Sequence, residues 1–485
     1  MKRKLSIIFA LLLLLQTAAS CGDSQTSDTP ITDGGTIEAG ETEADVFGGL
    51  AEKTFGGKEF NFLIRETEYN DYYIEAESGD VLNDAIYRRN TEVEEHFDVK
   101  INPISIDGAW SNRDSYLGAI RNSVMAGIGE YDLVDGYAGI IGALFTDNIC
   151  MNLWDVPNLR LNEKWWSELM ASELTVNGKL YDMTGDLAIN MWSNLHAMYF
   201  NKGMIEDFGR TSPYDRVKAG TWTFDAFLSD IKDVSKDLDG NGSLTESDQW
   251  GFLVYDSIAL DNLHNAFNIP VSKRGTDGLP TYDLQNERLI GAVEKITVLA
   301  FENPDSLYME QGNPNIIADS RNIFTSGNAM YFADTLAACT AMRDSDTDFG
   351  IIPLPKYDEN QEGYYTSSRD GRTMFVIPND VKDVDFVGLI TEALAVASHK
   401  YVIPAYYDVT LKTKAARDDE SAAMLDIIRD GLKLEFVAEY QAQTGGGGFS
   451  IRICMQNNNT EYVSMVASNL NTYKASLESF LEAYK

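Results

Sequence analysis

Cysteine and histidine are scarce in this sequence, which has four of each among its 485 residues. So few cysteines in so long a chain exclude a fold held together by a framework of disulfides. Zinc sites need clustered Cys or His ligands, and the histidines are isolated while Cys150, Cys339 and Cys454 show no metal-site spacing. We expect these three cysteines to be buried free thiols, with a single disulfide as the alternative.

Basic residues are also few. Lysine and arginine total 39 against 75 aspartates and glutamates, which gives a formal net charge of −36. Nucleic-acid binding needs a positive surface that displaces counterions, so this charge balance argues against it. The balance argues equally against adsorption to anionic lipid through a basic surface. A hydrophobic content of 44% and an aromatic content of 11% exclude disorder of the whole chain.

Long apolar runs are absent after the N-terminus, where one short run occurs. Residues 2–4 are basic, residues 5–15 are apolar apart from one serine, and small residues precede Cys21. This pattern predicts a signal peptide over residues 1–20 rather than a membrane-spanning helix. The residues just before Cys21 resemble a bacterial lipobox, with Ala18 where Leu is usual. The resemblance implies that Cys21 is lipidated. The alternative is ordinary cleavage that leaves a free thiol.

The segment after Cys21 is acidic and polar. Residues 22–50 hold seven acidic side chains and no lysine or arginine. Such a composition cannot bury enough apolar surface to offset the entropy lost on ordering. We therefore predict a disordered tether over residues 21–51. A lipid followed by a tether implies an extracytoplasmic protein that is attached to the cell membrane without entering it.

The remaining chain alternates short strands with helices. Strands are predicted at residues 59–64 and 99–101 and helices at 82–97 and 116–125, an order typical of an α/β fold with a largely parallel sheet. Ligands of such sheets gather at the carboxyl ends of strands. A further strand at 131–134 therefore predicts that the following loop, residues 135–137, faces a ligand. Other predicted elements are strands at 179–182, 197–200 and 349–352 and helices at 223–234, 385–397, 421–436 and 472–484.

One twelve-residue segment has the spacing of a calcium loop. Residues 237–248 place oxygen ligands at the first, third and fifth positions and glycine at the sixth, where a sharp turn is needed. The last position holds Asp where an EF-hand usually has Glu, and Asp reaches less far. We predict a structural Ca²⁺ site, against the alternative of a polar turn between two helices. The predicted ligands are Asp237, Asp239, Asn241, Ser243 and Asp248.

Several short blocks, taken in order, resemble bacterial extracellular solute-binding proteins of family 1, the sugar-binding lipoproteins of ABC transporters. Each block is short, and their order together with the signal and the tether carries the resemblance. The blocks are NDAIYRRN at 83–90, YDL at 131–133, YFNK at 199–202, WTFD at 222–225, the acidic loop with WG at 250–251, FTSGNAM at 324–330, DFGIIP at 348–353 and IPAYY at 403–407.

The resemblance implies an α/β clamp of the type II periplasmic-binding-protein class. Its two lobes would each be a sheet flanked by helices, joined by a hinge, with ligand in the cleft between them. By analogy the first lobe spans residues 52–190 with part of 373–435. The second spans 191–372 with the C-terminal helices of 436–485. The implied function is capture of a carbohydrate, an oligosaccharide by expectation, and its delivery to a permease by a monomer whose lobes close on the ligand.

Ligand residues are predicted from sugar chemistry and from position. Aromatic rings suit the apolar faces of sugars, and Asp, Asn and Arg suit their hydroxyls. Candidates follow predicted strands or lie at the two expected hinge crossings. They are Asp135, Tyr137, Trp192, Asn194, Tyr255, Asp256, Arg369 and Asp370.

Two other functions remain open at this stage. A receptor that reports its ligand to a sensor kinase would use the same closing clamp, so the residues do not separate it from a transport protein. A surface glycoside hydrolase would need two suitably spaced carboxylates. Abundant acids are uninformative in this chain, and no nucleophile motif such as Gly-x-Ser-x-Gly stands out. We therefore expect a binding protein and assign no catalytic residue.

Overall fold

The structure is a computed structural model that describes residues 46–309 and 312–485, apart from the side chain of residue 414. The predicted signal peptide, Cys21 and the tether up to residue 45 lie outside the described residues. Phe47, which the sequence analysis placed in the tether, is buried with its ring 5.3 Å from that of Phe97. The folded body therefore begins before residue 52, because this apolar side chain has a partner in the core.

Eleven strands are found among the described residues, in two larger sheets and one hairpin. Their bounds are β1 Lys58–Arg65, β2 Val99–Ile106, β3 Leu133–Tyr137, β4 His196–Asn201, β5 Trp250–Val254, β6 Ser272–Arg274, β7 Pro280–Tyr282, β8 Ser306–Tyr308, β9 Ala329–Thr335, β10 Phe349–Ile352 and β11 Thr373–Val376.

The first sheet has the strand order β11-β3-β1-β2. Strand β1 lies parallel to β2 and β3, with Phe62 opposite Leu133, whereas β11 runs antiparallel to β3, with Thr373 opposite Tyr137. The helix between β1 and β2 makes the crossover that parallel strands require. Strand β11 comes from a distant part of the chain, so this sheet is completed only after the second sheet has been formed in sequence.

The second sheet has the order β10-β4-β9-β5-β8. Strand β5 is parallel to β8 and β9, while β4 is antiparallel to both β9 and β10. Strands β4, β5, β9 and β10 are buried along their whole lengths, as expected for strands covered on both faces. Strands β6 and β7 form a separate antiparallel hairpin.

Helices cover both sheets. The longer ones are Val81–Phe97, Arg113–Ala126, Glu168–Leu174, Phe224–Ile231, Glu287–Phe301, Ile316–Thr325, Val384–Ala397, Asp419–Asp430, Ser450–Gln456 and Tyr462–Leu481. Shorter ones are Tyr69–Tyr72, Ala138–Ile141, Ala143–Thr146, Ile189–Ser193, Lys202–Asp207, Pro213–Lys218, Ser257–Asp261, Leu263–Ala266, Ala337–Ala341 and Phe436–Glu439. The predicted two-lobed α/β architecture is confirmed.

The longest apolar helical stretch lies inside the fold. Val384–Ala397 continues as π-helical turns over Ser398–Val402 and Pro404–Ala415. Among the described residues, Val384–Thr413 alone is long and apolar enough to cross a membrane, yet 78% of its most apolar window is buried. Burial of this kind is typical of a core helix of a globular protein.

Several local predictions differ from the structure, and in four places the element changes type or one of its ends moves by more than five residues. Residues 135–137 belong to β3 instead of a loop, because they pair with β11. Residues 179–182 form no strand beyond single bridges. The helix predicted at 421–436 ends at Asp430, with Gly431 as its C-cap packed so closely on Tyr364 that a Cβ would lie 2.3 Å from its carbonyl oxygen. The last long helix begins at Tyr462, ten residues before the predicted start.

The cysteine prediction is confirmed for the three cysteines that the structure describes. Cys150, Cys339 and Cys454 are free and buried. Burial in apolar surroundings raises the pKa of each thiol, which keeps it protonated and unreactive at neutral pH.

Candidate ligand-binding site between the two sheets

Two chain segments pass side by side between the sheets. The first segment is the short helix Ile189–Ser193 together with Asn194. The second segment runs over residues 367–372 into β11. The amide of Asn190 donates to the Thr373 hydroxyl at 3.0 Å and its oxygen accepts from the Thr373 backbone N–H at 2.9 Å. The Arg369 N–H donates to the Asn194 carbonyl oxygen at 2.9 Å. We call these paired segments the crossing, and the residues below surround it.

Arg369 ties the crossing to the carboxyl end of β5. Its guanidinium donates to Asp256 Oδ2 at 2.8 Å and to the Tyr255 hydroxyl at 3.1 Å. Asp256 also caps the helix Ser257–Asp261, because its other oxygen accepts from the N–H groups of Ile258 and Ala259. Burial opposes the charge of Arg369, but the neighbouring Tyr255, Asp256 and Asp370 outweigh it and raise its pKa. Arg369 is therefore a fixed cation.

Asp370 faces a second guanidinium that comes from the C-terminal part of the chain. Arg452 Nη1 donates to Asp370 at 2.7 Å, and Arg452 Nη2 donates to Asp261 at 3.3 Å. Burial opposes ionisation of Asp370, yet Arg452 and Arg369 together hold its pKa below the usual value. At Asp261 burial prevails and raises the pKa, although Arg452 works against it. The pair of carboxylates and the guanidinium form one buried charged cluster.

Asp135 lies under the crossing rather than at its surface. The side chain is fully buried, accepting from Arg65 Nε at 3.0 Å and from the Thr373 hydroxyl at 2.8 Å. Thr373 is the residue that also bonds Asn190, so Asp135 connects the first sheet to the crossing. The expectation that Asp135 contacts ligand directly is corrected here, because its oxygens are enclosed by Arg65 and Thr373.

Aromatic rings line the side of the crossing that belongs to the first sheet. Tyr137 is half-buried at the end of β3, and its ring centroid lies 5.9 Å from that of Trp110. Trp110 is 50% exposed and was not among the predicted ligand residues. Burial raises the pKa of Tyr137 to about 12, so its hydroxyl is a neutral donor and acceptor. Trp192 is half-buried in the crossing itself.

A small polar cavity of about 40 Å³ lies against the crossing. Its walls carry buried polar atoms that have no hydrogen-bond partner among the described residues: Asp261 Oδ1, His196 Nε2, Arg372 Nε and Arg452 Nε. Burial lowers the pKa of His196 to about 4, and its Nδ1 bonds the Ser367 carbonyl, so Nε2 is an acceptor at neutral pH. Donors and acceptors without partners are costly unless a water or a ligand satisfies them.

Two carboxyl groups on the first sheet's side also escaped the sequence analysis. Glu68 and Asp71 follow β1, and the Asn190 amide donates to Glu68 at 2.9 Å. Burial, helped by the charges of Glu68 and Asp135, raises the pKa of Asp71 to about 7. A perturbed carboxyl at the end of a parallel strand is typical of functional sites. The position of Glu68 and Asp71 directly after β1 is the sequence feature from which they could have been predicted.

The predicted ligand residues fall into three groups. Tyr137, Asp256, Arg369 and Asp370 lie around the crossing with polar atoms or rings near its surface. Tyr255 is 1% exposed and donates to Asp334 at 3.1 Å, so it supports Arg369 and the expectation of direct ligand contact is corrected. Asn194 contributes its backbone carbonyl to the crossing. Trp192 has a buried indole N–H without a partner among the described residues, and a direct role for it remains a prediction.

Arg452 is the most important residue that sequence reasoning missed. It lies 82 residues from Asp370 and 191 residues from Asp261 along the chain. No local pattern announces such a partner, because only the packing of the C-terminal helices on the crossing brings the three side chains together.

The predicted calcium loop lies at the opposite end of β5. Carboxylate oxygens of Asp237, Asp239 and Asp248 come within 4.8 Å of one another. Asp237 accepts from the N–H groups of Gly240 and Gly242, both at 2.7 Å. These backbone bonds lower the pKa of Asp237, and similar bonds lower that of Asp248. The donor set is one of hard oxygen ligands on a tight loop, which fits Ca²⁺.

No family model and no curated protein matches this sequence. Solved structures of solute-binding proteins match its fold. A Thermotoga lettingae ABC transporter solute-binding protein bound with alpha-D-tagatose gives a TM-score of 0.55 at 13% identity, covering 86% of this chain and 100% of its own. The maltose-bound MalE3 protein of T. maritima gives 0.52 at 13% identity, with coverages of 88% and 98%.

A Listeria monocytogenes ABC substrate-binding protein in complex with cycloalternan gives a TM-score of 0.51 at 11% identity, covering 88% of this chain and 99% of its own. The T. lettingae and L. monocytogenes neighbours are named as solute-binding or substrate-binding proteins, and the T. maritima neighbour is named with its bound maltose. Identities this low establish the fold alone. The resemblance to extracellular solute-binding proteins of family 1 is thus confirmed at the level of the fold.

Proposed function

We propose that this protein is an extracytoplasmic solute-binding lipoprotein that captures a carbohydrate at the crossing and delivers it to the permease of an ABC transporter. The observation that carries the proposal is the polar cavity with its unpartnered donors and acceptors. Ala138, which lines the cavity, directly follows Tyr137, whose ring lies 5.9 Å from that of Trp110. Hydroxyl groups both donate and accept, so a sugar can satisfy both kinds of atom while its apolar face stacks on a ring. The sugar-liganded neighbours with this fold support the same conclusion.

Capture works by closure of the two lobes. The crossing is the short connection between the sheets, and small dihedral changes there move one lobe relative to the other. A ligand that bonds both lobes favours the closed form by the contacts made only in that form. The closed form then presents a surface to the permease. Lipidation of Cys21 would keep the protein near the membrane, and a single clamp of this kind is expected to act as a monomer.

Ca²⁺ at residues 237–248 is a further part of the proposal. Asp237, Asp239 and Asp248 would supply carboxylate oxygens, and Asn241 and Ser243 would add a side-chain amide oxygen and a backbone carbonyl. The ion would neutralise part of the charge of the loop and fix the start of β5. Its role would be structural, because the loop lies at the end of β5 opposite the crossing.

The proposal is tested with a panel of mono- and oligosaccharides, measured by titration calorimetry on the mature protein with and without a chelator. We expect at least one saccharide to bind with micromolar or tighter affinity and to be recovered unchanged. Failure of every sugar to bind would count against a carbohydrate ligand, and turnover of a bound oligosaccharide would indicate an enzyme.

A further inference from the structure

A second space adjoins the cavity at the crossing. This side pocket has a volume of about 270 Å³ and extends toward the hairpin of β6 and β7. Pockets that enclose a whole ligand usually measure roughly 300–1,000 Å³, so its size suits one end of a longer ligand. The residues that line both spaces are Asn265, Lys433, Leu434 and Glu435.

Lys433 is the cation common to both spaces. It is half-buried, and its backbone N–H donates to the Thr366 carbonyl oxygen at 2.7 Å. Its ammonium group lies 4.2 Å from the centroid of the Tyr365 ring. In residues 46–309 and 312–485, no carboxylate lies within ion-pair distance of this group. A half-buried ammonium without an anion is unusual in a chain that has 75 acidic residues.

Arg274 gives the side pocket a second cation without a carboxylate partner in the part of the chain that the structure describes. The residue is exposed at the rim, and its guanidinium donates to the backbone carbonyl oxygens of Gly278, at 3.0 Å, and of Glu173. The bonds to carbonyl oxygens orient the guanidinium but do not neutralise its charge. Glu173 lines the same pocket, but it is not within ion-pair distance of Arg274.

The other carboxylates that line the two spaces are already engaged. Glu435 accepts from the backbone N–H and hydroxyl of Ser272 at 2.8 and 2.6 Å and from the Val271 N–H at 3.1 Å. Glu439 pairs with Arg372. Asp261 and Asp370 share Arg452, as described above. None of these groups is free to neutralise Lys433.

We infer that the captured saccharide carries an oxyanion, a carboxylate or a sulfate, which pairs with Lys433 where the cavity meets the side pocket. The inference rests on the proposed function and narrows its substrate class to acidic saccharides. Lys433 would supply the ion pair, and the sugar hydroxyls would bond the unpartnered atoms of the cavity. The Nε atoms of Arg372 and Arg452 are donors suited to the remaining oxyanion or ring oxygens.

The negative net charge of the protein does not prevent an anionic saccharide from binding beside Lys433. A charge of −36 repels an anion in bulk solution, but the Debye length is about 8 Å at physiological ionic strength. The distributed surface charge therefore affects mainly the rate of approach. Once the ligand is in the pocket, the adjacent ammonium of Lys433 is the larger influence.

The test compares acidic saccharides with neutral partners of the same backbone. Oligogalacturonides are measured against their methyl esters, and sulfated oligosaccharides against their desulfated forms, by titration calorimetry on the mature protein. We expect the tightest ligand to be acidic and to bind at least tenfold more tightly than its neutral partner. The uronate and sulfate arms identify which oxyanion is preferred. A tightest ligand that is neutral overturns the inference and leaves the proposed function intact, whereas no binding by any saccharide overturns both.

Substitutions at Lys433 assign the effect to this residue. Lys433→Gln should lower the affinity for the acidic ligand about tenfold and the affinity for its neutral partner less than twofold. Lys433→Arg should keep most of the affinity for the acidic ligand. Lys474→Gln, at an exposed lysine of the last long helix, is the control and should change neither affinity. Thermal unfolding confirms that each variant is folded. Equal losses for the acidic and neutral ligands in Lys433→Gln would contradict the ion pair.

Discussion

The two ends of strand β5 carry aspartates that are stabilised in opposite ways. The acidic loop before the strand holds Asp237 and Asp248 against backbone N–H groups a few residues away. The segment after the strand holds Asp256 against the guanidinium of Arg369, 113 residues further along the chain. A five-residue strand, about 17 Å long, separates the two regions.

This difference explains what each region can do. Backbone amides hold the loop carboxylates ready for a cation, and removing one bond leaves the others in place. At the crossing the charges depend on guanidinium groups from distant parts of the chain, so the loss of one arginine leaves buried carboxyl groups poorly compensated. We therefore expect substitutions at the crossing to lower the stability of the fold more than substitutions in the loop. The predictions below test this contrast from the largest expected effect to the smallest.

Removal of Arg452 should be the most damaging change. Arg452→Met removes the guanidinium that hydrogen-bonds both Asp370 and Asp261, and both carboxyl groups are largely buried. We expect the free energy of unfolding to fall by about 3 kcal/mol, measured by urea denaturation. The control is Arg343→Met, whose partner Asp344 is 92% exposed, and it should cost less than about 0.5 kcal/mol. Similar losses in the two variants would contradict the difference between buried and exposed pairs.

Asp71, on the first sheet's side of the crossing, and the acidic loop should respond to pH with opposite sign. The pKa of Asp71 is raised to about 7, so its neutral form is favoured in the folded state. Its contribution to stability is full below the unfolded carboxyl pKa of about 4 and is lost as pH rises toward 7. Asp71→Asn should therefore stabilise the protein at pH 8, by about 2 kcal/mol, and have little effect at pH 4.

The acidic loop supplies the opposite case. Hydrogen bonds from backbone N–H groups lower the pKa of Asp237, so its stabilising effect is present above pH 4 and is lost as pH falls further. Asp237→Asn should destabilise the protein at pH 6 more than at pH 3, as measured by urea denaturation at each pH. The same sign of pH dependence for Asp71→Asn and Asp237→Asn would contradict the assigned environments.

Ca²⁺ should stabilise the loop without changing ligand affinity. At ten times its dissociation constant, the ion should raise the free energy of unfolding by about 1.4 kcal/mol, and a chelator should remove the gain. The double variant Asp237→Asn with Asp239→Asn should show no gain, whereas Asp344→Asn should keep it. A saccharide affinity that changes more than threefold with the chelator would show that the two ends of β5 are coupled.

The smallest effect is expected for a single side-chain bond in the loop. Thr245 donates its hydroxyl to Asp248 at 2.9 Å, while the Thr245 and Leu238 backbone N–H groups donate to the same carboxylate. Thr245→Ala should cost about 1 kcal/mol or less in urea denaturation, because the backbone bonds remain. A loss as large as that of Arg452→Met would mean that the loop depends on individual side chains after all.

The acidic loop and the crossing also differ in how much of each could be predicted from the sequence. The turns of the loop could be predicted from the sequence, because its spacing is local and Gly240 and Gly242 take the positive φ values that its turns need, while Ca²⁺ binding stays a prediction. Strand β1 and the helix Val81–Phe97 were also found to within a residue, since their apolar periodicity is local. The α/β class followed from the order of such elements, whereas the two lobes were implied by the resemblance to solute-binding proteins of family 1.

The crossing could be predicted only in part. Arg369, Asp370, Asp256 and Tyr137 lie at the crossing, where hinge positions and strand ends placed them, and their contact with a ligand stays a prediction. Arg452 was missed because its contacts depend on tertiary packing. Asp135 was predicted to face a ligand in a loop because β11, which pairs with it from more than 200 residues away, has no local signature. Trp110 precedes a helix and gave no sequence signal that it would lie against Tyr137.

The most direct test of the account is the effect of Trp110→Ala on the affinity for the tightest saccharide of the panel, measured by titration calorimetry beside Trp154→Ala. Both tryptophans are exposed, at 50% and 37%, and only Trp110 lies beside Tyr137 at the crossing. Loss of a stacking ring should weaken binding about tenfold, or about 1.4 kcal/mol, in Trp110→Ala and leave Trp154→Ala unchanged. Equal affinities in the two variants would place the ligand somewhere other than the crossing.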